Sequence, residues 1–232
     1  MPLTSAQIVT RACTIAKAPG YLSQCGVYLN QVLEDLVLHR DLKVNRKTSN
    51  ILVSANNNGP FYLESDYLRT YDMFFSQNNL PYFLEPVSMK EYDKEFKDPS
   101  IANYPYEFAT DLSVEAQGVS GGAGYLYIYP QSSGAITLTH RYMVMRPDIT
   151  TPETSSSVPW FTDQIYLIQR TAMLLMAETD DERYNQFFDR TEQMLRIHLV
   201  MEGDEQAVVK EIKLDPRRFH VERYLRPTKV TG

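Results

Sequence analysis

Residues 124–145 read Gly124-Tyr-Leu-Tyr-Ile-Tyr-Pro-Gln-Ser-Ser-Gly-Ala-Ile-Thr-Leu-Thr-His-Arg-Tyr-Met-Val-Met145. Side chains alternate between the two faces of a strand, so Tyr125, Tyr127 and Tyr129 share one face and Leu126 and Ile128 the other. In Ile136-Thr-Leu-Thr the apolar and polar positions again alternate. Such a pattern predicts antiparallel sheet with one face against a core, over Gly124–Tyr129 and Ala135–Met145.

Working outward toward the N-terminus, Glu107–Val114, Tyr82–Glu85 and Ser49–Ser54 also read as strands, and Asn56-Asn-Asn-Gly-Pro60 is a turn by composition. Leu63–Met73 is amphipathic but too short to assign by itself. Ser88 with Glu91 three residues later is a capping-box pattern that opens one or two helical turns through Phe96.

Beyond this region the period changes to that of helices. Residues 4–18 carry Ile8, Val9, Ala12 and Ile15 on one stripe, with Thr4 or Ser5 as N-cap and Pro19-Gly20 as the stop. Residues 22–40 carry Tyr28, Leu29, Val32, Leu33, Leu36 and Val37. On the other side, Arg146–Pro159 has no period and reads as a loop. Helices are then predicted over 162–178 and 181–201, with Thr162 and Asp180 as N-caps and Gly203 as a stop. The resulting expectation is an α+β chain: a helical bundle made from residues 1–45 and 160–203, an antiparallel β-rich insertion over 46–159, and an extended basic C-terminal arm over 204–232.

The chain has 232 residues, 43% hydrophobic and 22% charged, enough to bury a sizeable core. No run approaches the ~18 apolar residues of a membrane span, so no membrane partner is expected. The opening residues lack a basic and then apolar signal pattern, which predicts no secretory leader. Cys13 and Cys25 match no redox or zinc spacing. The net charge of −6 argues against general nucleic-acid binding. It divides unevenly: residues 1–161 carry −4, residues 162–205 carry −6 and residues 206–232 carry +4. An acidic helical segment is thus followed by a basic tail. Aromatics are uneven too, since 13 of the 26 Phe and Tyr lie within residues 61–108. Rings at that density suit interfaces, or stacking on sugars.

No catalytic pattern stands out. His39, His140, His198 and His220 lie at no metal-ligand spacing from one another or from a cysteine. His198 falls on an apolar stripe, where a packing histidine is expected. The glycines of 118–124 precede strands rather than a helix and so predict a hairpin loop, not a phosphate cradle. Asp180, Asp181 and Glu182 suit a helix start. No catalytic residue, metal site or cofactor is expected, and the chain reads as a non-enzyme.

Leu63-x-x-Asp66-Tyr67-Leu68-Arg69-x-Tyr71-Asp72, Val158-Pro-Trp-Phe161 and the helix pair after it resemble the head-to-tail adaptor proteins of short-tailed bacteriophages. These are also called tail tubular protein A, within the wider head–tail connector family, and the similarity of plan covers nearly the whole chain. The resemblance implies a structural virion protein, made in the host cytoplasm: a homo-oligomeric ring, twelve-fold in the family, docked under the portal protein. Such a ring continues the DNA channel toward the tail nozzle protein and anchors tail fibres or spikes. The basic arm, with Lys210, Lys213, Arg217, Arg218, Phe219 and Arg223, would grip the portal or a neighbouring subunit. Asp180, Asp181 and Glu182 would face the channel, where like charge lets genomic DNA pass without sequence-specific binding. The aromatics leave a second expectation, a carbohydrate-binding or spike-associated β module.

Overall fold

A computed structural model describes residues 2–95, 102–113 and 122–201. Strands dominate the middle of the chain. One four-stranded sheet has the order β1 (Arg46–Val53), β10 (Ile136–Val144), β3 (Tyr67–Gln77), β4 (Leu80–Phe83), with every pairing antiparallel. A second has the order β2 (Phe61–Tyr62), β8 (Tyr125–Tyr129), β7 (Glu107–Asp111), β5 (Glu85–Pro86), in which only β5 and β7 run parallel. A short parallel pair joins β6 (Ala102–Asn103) to β9 (Gln131–Ser132).

The two larger sheets bury one core. Val53, Met73, Phe75, Leu138 and Val144 come from the first, and Phe108, Leu126 and Ile128 from the second. The alternation in Tyr125–Tyr129 is obeyed: Leu126 and Ile128 are buried and the three tyrosines are half-buried. Leu63–Met73, unassigned from its pattern, contributes the start of β3, the longest strand described. Its register on β10 slips twice, between Arg141 and Tyr142 and between Met143 and Val144, so no single alternation runs through the segment. Close approach explains two glycines. Gly59 has φ of 115° and sits against the Leu126 carbonyl, and a side chain at Gly124 would overlap the Asp111 carbonyl oxygen.

Five α-helices are described: α1 (Ser5–Ile15), α2 (Leu22–His39), α3 (Met89–Glu95), α4 (Gln164–Glu178) and α5 (Tyr184–Met201). Thr4 caps α1 through a full capping box with Gln7, and Ser88 and Glu91 exchange the bonds expected at α3. At α4 the cap is Asp163, which accepts from the Tyr166 amide at 3.0 Å, rather than Thr162. Nine of the 15 residues of α4 are buried, and α1 and α2 lay their apolar stripes against it. Cys13 and Cys25 are free thiols within this core.

The expected helical bundle of residues 1–45 and 160–203 is not what forms. The described residues make an α+β molecule of five helices and three sheets, and the terminal helices do not close a bundle. A bundle helix buries its stripe against two neighbours, but α5 buries only Thr191 and Leu195. It leans on α4, where Arg170 donates to Thr191 and pairs with Glu192. Between α5 and α2 an open groove remains. An apolar stripe records that a face is covered; it does not record by what. The expected arm over 204–232 lies outside the described residues.

Polar contacts tie α2 to β3 and to the loop that follows β10. Arg69 of β3 donates to the Leu38 carbonyl at 2.8 Å and pairs with Asp41, satisfying the end of α2. Asn30 exchanges two hydrogen bonds with the Ile149 backbone, at 3.0 and 3.1 Å.

Candidate interaction surfaces

The acidic turn between α4 and α5 is less uniform than its sequence. Asp181 accepts from the Arg183 backbone at 2.9 Å and forms a forked ion pair with its guanidinium. Arg183 also donates to the Ile15 carbonyl at the end of α1, at 3.1 Å. Hydrogen bonds from the Arg183 side chain and backbone hold the Asp181 carboxyl down at about 2. Asp181 therefore fastens a turn to α1, a role that the expectation of a channel-facing charge did not include. Asp180 has φ of 52°, and the side chain that bonds the turn is that of Asp181 rather than the expected cap Asp180. Asp180 and Glu182 are exposed. Lys210, Lys213, Arg217, Arg218, Phe219 and Arg223 lie outside the described residues.

The strings that carried the family resemblance have structural work in this fold. Asp66 accepts from Tyr142 at 3.0 Å and pairs with Lys47. Burial alone would raise its carboxyl, but the Lys47 and Tyr142 hydrogen bonds and the Lys47 charge hold it below the ordinary range. Phe161 is buried in the helical core, edge-on to Tyr166 and 4.7 Å from the ring of His198. The expected packing role of His198 matches that ring contact.

A buried histidine inside the sheets escaped the sequence reading. His140 is fully buried between Tyr67 and Tyr142, ring to ring at 5.6 and 5.1 Å. Its Nε2 meets Thr70 Oγ1 at 3.0 Å, and Thr70 also meets the Tyr67 hydroxyl. Burial pushes its pKa down to about 4, so the ring is neutral at neutral pH. The only available signal was the polar His within an apolar alternation at Leu138-Thr-His140. Among the described residues, no three His, Cys, Asp or Glu side chains converge as metal ligands.

Many rings of residues 61–108 pair within the molecule. Phe75 lies nearly parallel to Tyr82 and Tyr104, at 5.4 and 5.8 Å, and Phe74 meets Phe83 at 5.3 Å. The edge strand β4 nevertheless leaves Leu80 60% and Phe83 59% exposed. At the far end of α5, Val200 is 57% and Met201 81% exposed. Two of the clefts among the described residues stand out by size. One, of about 720 Å³, lies at the end of the first sheet and is lined by Asn50, Ser76, Gln77, Tyr104, Thr137 and Thr139 among others, with no charged side chain. The other is the α2/α5 groove, formed by two hollows of about 400 and 590 Å³ that share Arg40, Glu192 and Leu195.

No helix among the described residues is long and apolar enough to cross a membrane. No protein-family model matches the chain, and no curated protein matches it.

Proposed function

We propose that this chain is a structural virion subunit, a head-to-tail adaptor that forms a ring under the portal protein, twelve-fold as in the family it resembles. The ring would continue the DNA channel and anchor the nozzle and the tail fibres or spikes. The observation that carries the reading is apolar surface left on both halves of the subunit: Leu80 and Phe83 on a sheet edge, and Val200 and Met201 on α5. An edge strand with bare apolar side chains is a liability for a monomer and an asset for an assembled one. Lys210, Lys213, Arg217, Arg218 and Arg223, with Phe219 among them, are assigned to the portal or a neighbouring subunit, and the exposed Asp180 and Glu182 to the channel wall.

Negative-stain microscopy of the protein mixed with purified portal tests this directly. A ring stacked on the portal is expected, and loss of that ring on deleting residues 206–232 with the body still folded. Portal particles that stay bare with the full chain would overturn the reading. For the channel, reversing charge at Asp180 and Glu182 is expected to impair DNA retention or ejection.

A second reading, a carbohydrate-binding β module, is favoured by the uncharged cleft. Amides and hydroxyls from Asn50, Gln77, Thr137 and Thr139 beside the Tyr104 ring are the groups that recognise sugar hydroxyls and sugar faces. Glycan-array binding lost with Gln77→Ala and Tyr104→Ala would promote it over the first.

A further inference from the structure

The two outer strands of the first sheet, β1 and β4, each pair on one side only among the described residues, and they differ. β1 divides along its eight residues. Arg46-Lys-Thr-Ser49 is polar, whereas Asn50-Ile-Leu-Val53 is mostly apolar and leaves Leu52 78% exposed. β4 is Leu80-Pro-Tyr-Phe83, four exposed residues without a charge.

The register shows which side chains share a face. Asn50, Thr139, Phe74 and Phe83 stand opposite one another in a row across all four strands. Ile51, Leu138, Phe75 and Tyr82 form the next row, on the other face. Leu52 lies two residues from Asn50 and so on the face of Phe83. Strand direction alternates across this sheet, and the number of strands is even. β4 of one copy set beside β1 of another therefore continues the antiparallel order. Extending both rows across such a joint sets Tyr82 opposite Ile51 and Phe83 opposite Asn50. Pro81 then faces Leu52, Leu80 faces Val53, and Phe83 reaches Leu52 on the diagonal.

Self-pairing suits neither edge. Leu84 donates its N–H to Met73, so by alternation Pro81 and Phe83 turn their backbone toward the free side, where Pro81 has no N–H to give. Two β4 edges would set one donor-poor stretch against another. Two β1 edges paired antiparallel over their full length would put Arg46 and Lys47 across from Val53 and Leu52. β4 on β1 instead matches four uncharged residues to the apolar half of a strand that has no proline.

We propose that a second copy of this chain docks its β4 on the Asn50–Val53 half of β1, joining copies head to tail through the first sheet. The joint covers Leu52, Leu80, Tyr82 and Phe83, which the single subunit shows to water. A head-to-tail joint generates a ring where its rotation closes. The inference deepens the ring proposed above and rests on it for the placement of copies side by side.

Cysteine cross-linking of the full chain, with and without purified portal, tests the joint. Leu52→Cys and Phe83→Cys put thiols on the two edges, while Cys13 and Cys25 stay buried in the helical core. A bismaleimide of about 8 Å reach matches the diagonal. Mixing the two variants is expected to give a cross-linked dimer that neither gives alone, and a chain carrying both to give a ladder. Pro81→Cys, directly opposite Leu52 in the joint, serves if Phe83→Cys fails to fold. Cross-links within either single variant would overturn the inference, because that edge would then pair with itself. Rings on the portal without cross-links would overturn it and leave the adaptor reading standing. Cross-links from the mixture without a ring on the portal would do the reverse, and the absence of both would overturn both.

Discussion

The helical layer and the paired sheets bury their interiors by different means. Between α1, α2 and α4 the core is mainly aliphatic, with Ile8, Leu29, Leu36, Leu167 and Leu175 essentially without solvent contact. Between the sheets, the core includes a polar chain from Thr70 through His140, held between two tyrosines. The first kind of core responds to lost volume alone. The second responds also to pH, because one of its members can take a charge it has no place for.

Deleting volume should have the largest effect in both. Phe75→Ala in the sheets is expected to cost about 3–5 kcal/mol and Leu29→Ala in the helical layer about 2–5 kcal/mol. Denaturant unfolding followed by tyrosine fluorescence and by helical circular dichroism checks both. The polar bridges through Arg69 and Asn30 lead us to expect coincident transitions, and two separated transitions would break that coupling.

Acid should then separate the layers. An unfolded His140 binds its proton below about 6.5, whereas the folded one does so only near 4. Its neutral form therefore contributes full stability above pH 6.5, and this is lost as pH falls toward 4, up to about 3 kcal/mol. His140→Phe should flatten the stability profile over that window, and an unchanged slope would remove His140 as its cause. Arg69→Met tests the joint between the layers. It removes donors from the Leu38 carbonyl and the Asp41 carboxylate, at a cost of about 1–3 kcal/mol, with faster amide exchange expected in the last turn of α2. The smallest effect is local to the helices: Thr4→Ala removes the cap of α1 and should cost about 1 kcal/mol, visible as a small shift in the thermal midpoint.

Local chemistry was the most legible part of the chain. The helix start at Thr4 or Ser5, the capping box at Ser88, the stripes of α1 and α2, and the alternation of Tyr125–Tyr129 all depend on neighbours within a few residues. β3 was not legible, because its two register slips break the period on which the reading relies. The candidate surfaces were less legible still. Asp180, Asp181 and Glu182 look alike in sequence, yet only Asp181 is tied down, by an arginine that also reaches Ile15, 168 residues away in the chain.

The sequence by itself determined that this protein pairs helical ends with a β-rich middle, that its charge passes from acidic to basic near the C-terminus, and that it carries no recognisable catalytic motif. Periodicity and composition are local sums, and they survive without coordinates. The tertiary structure alone decided what each apolar face meets. It left α5 leaning on α4 with a groove beside it instead of completing a bundle, set His140 between two tyrosines, and put bare leucine and phenylalanine on the edge of a sheet. Those outcomes depend on contacts between residues distant in sequence, and no window of neighbouring residues contains them.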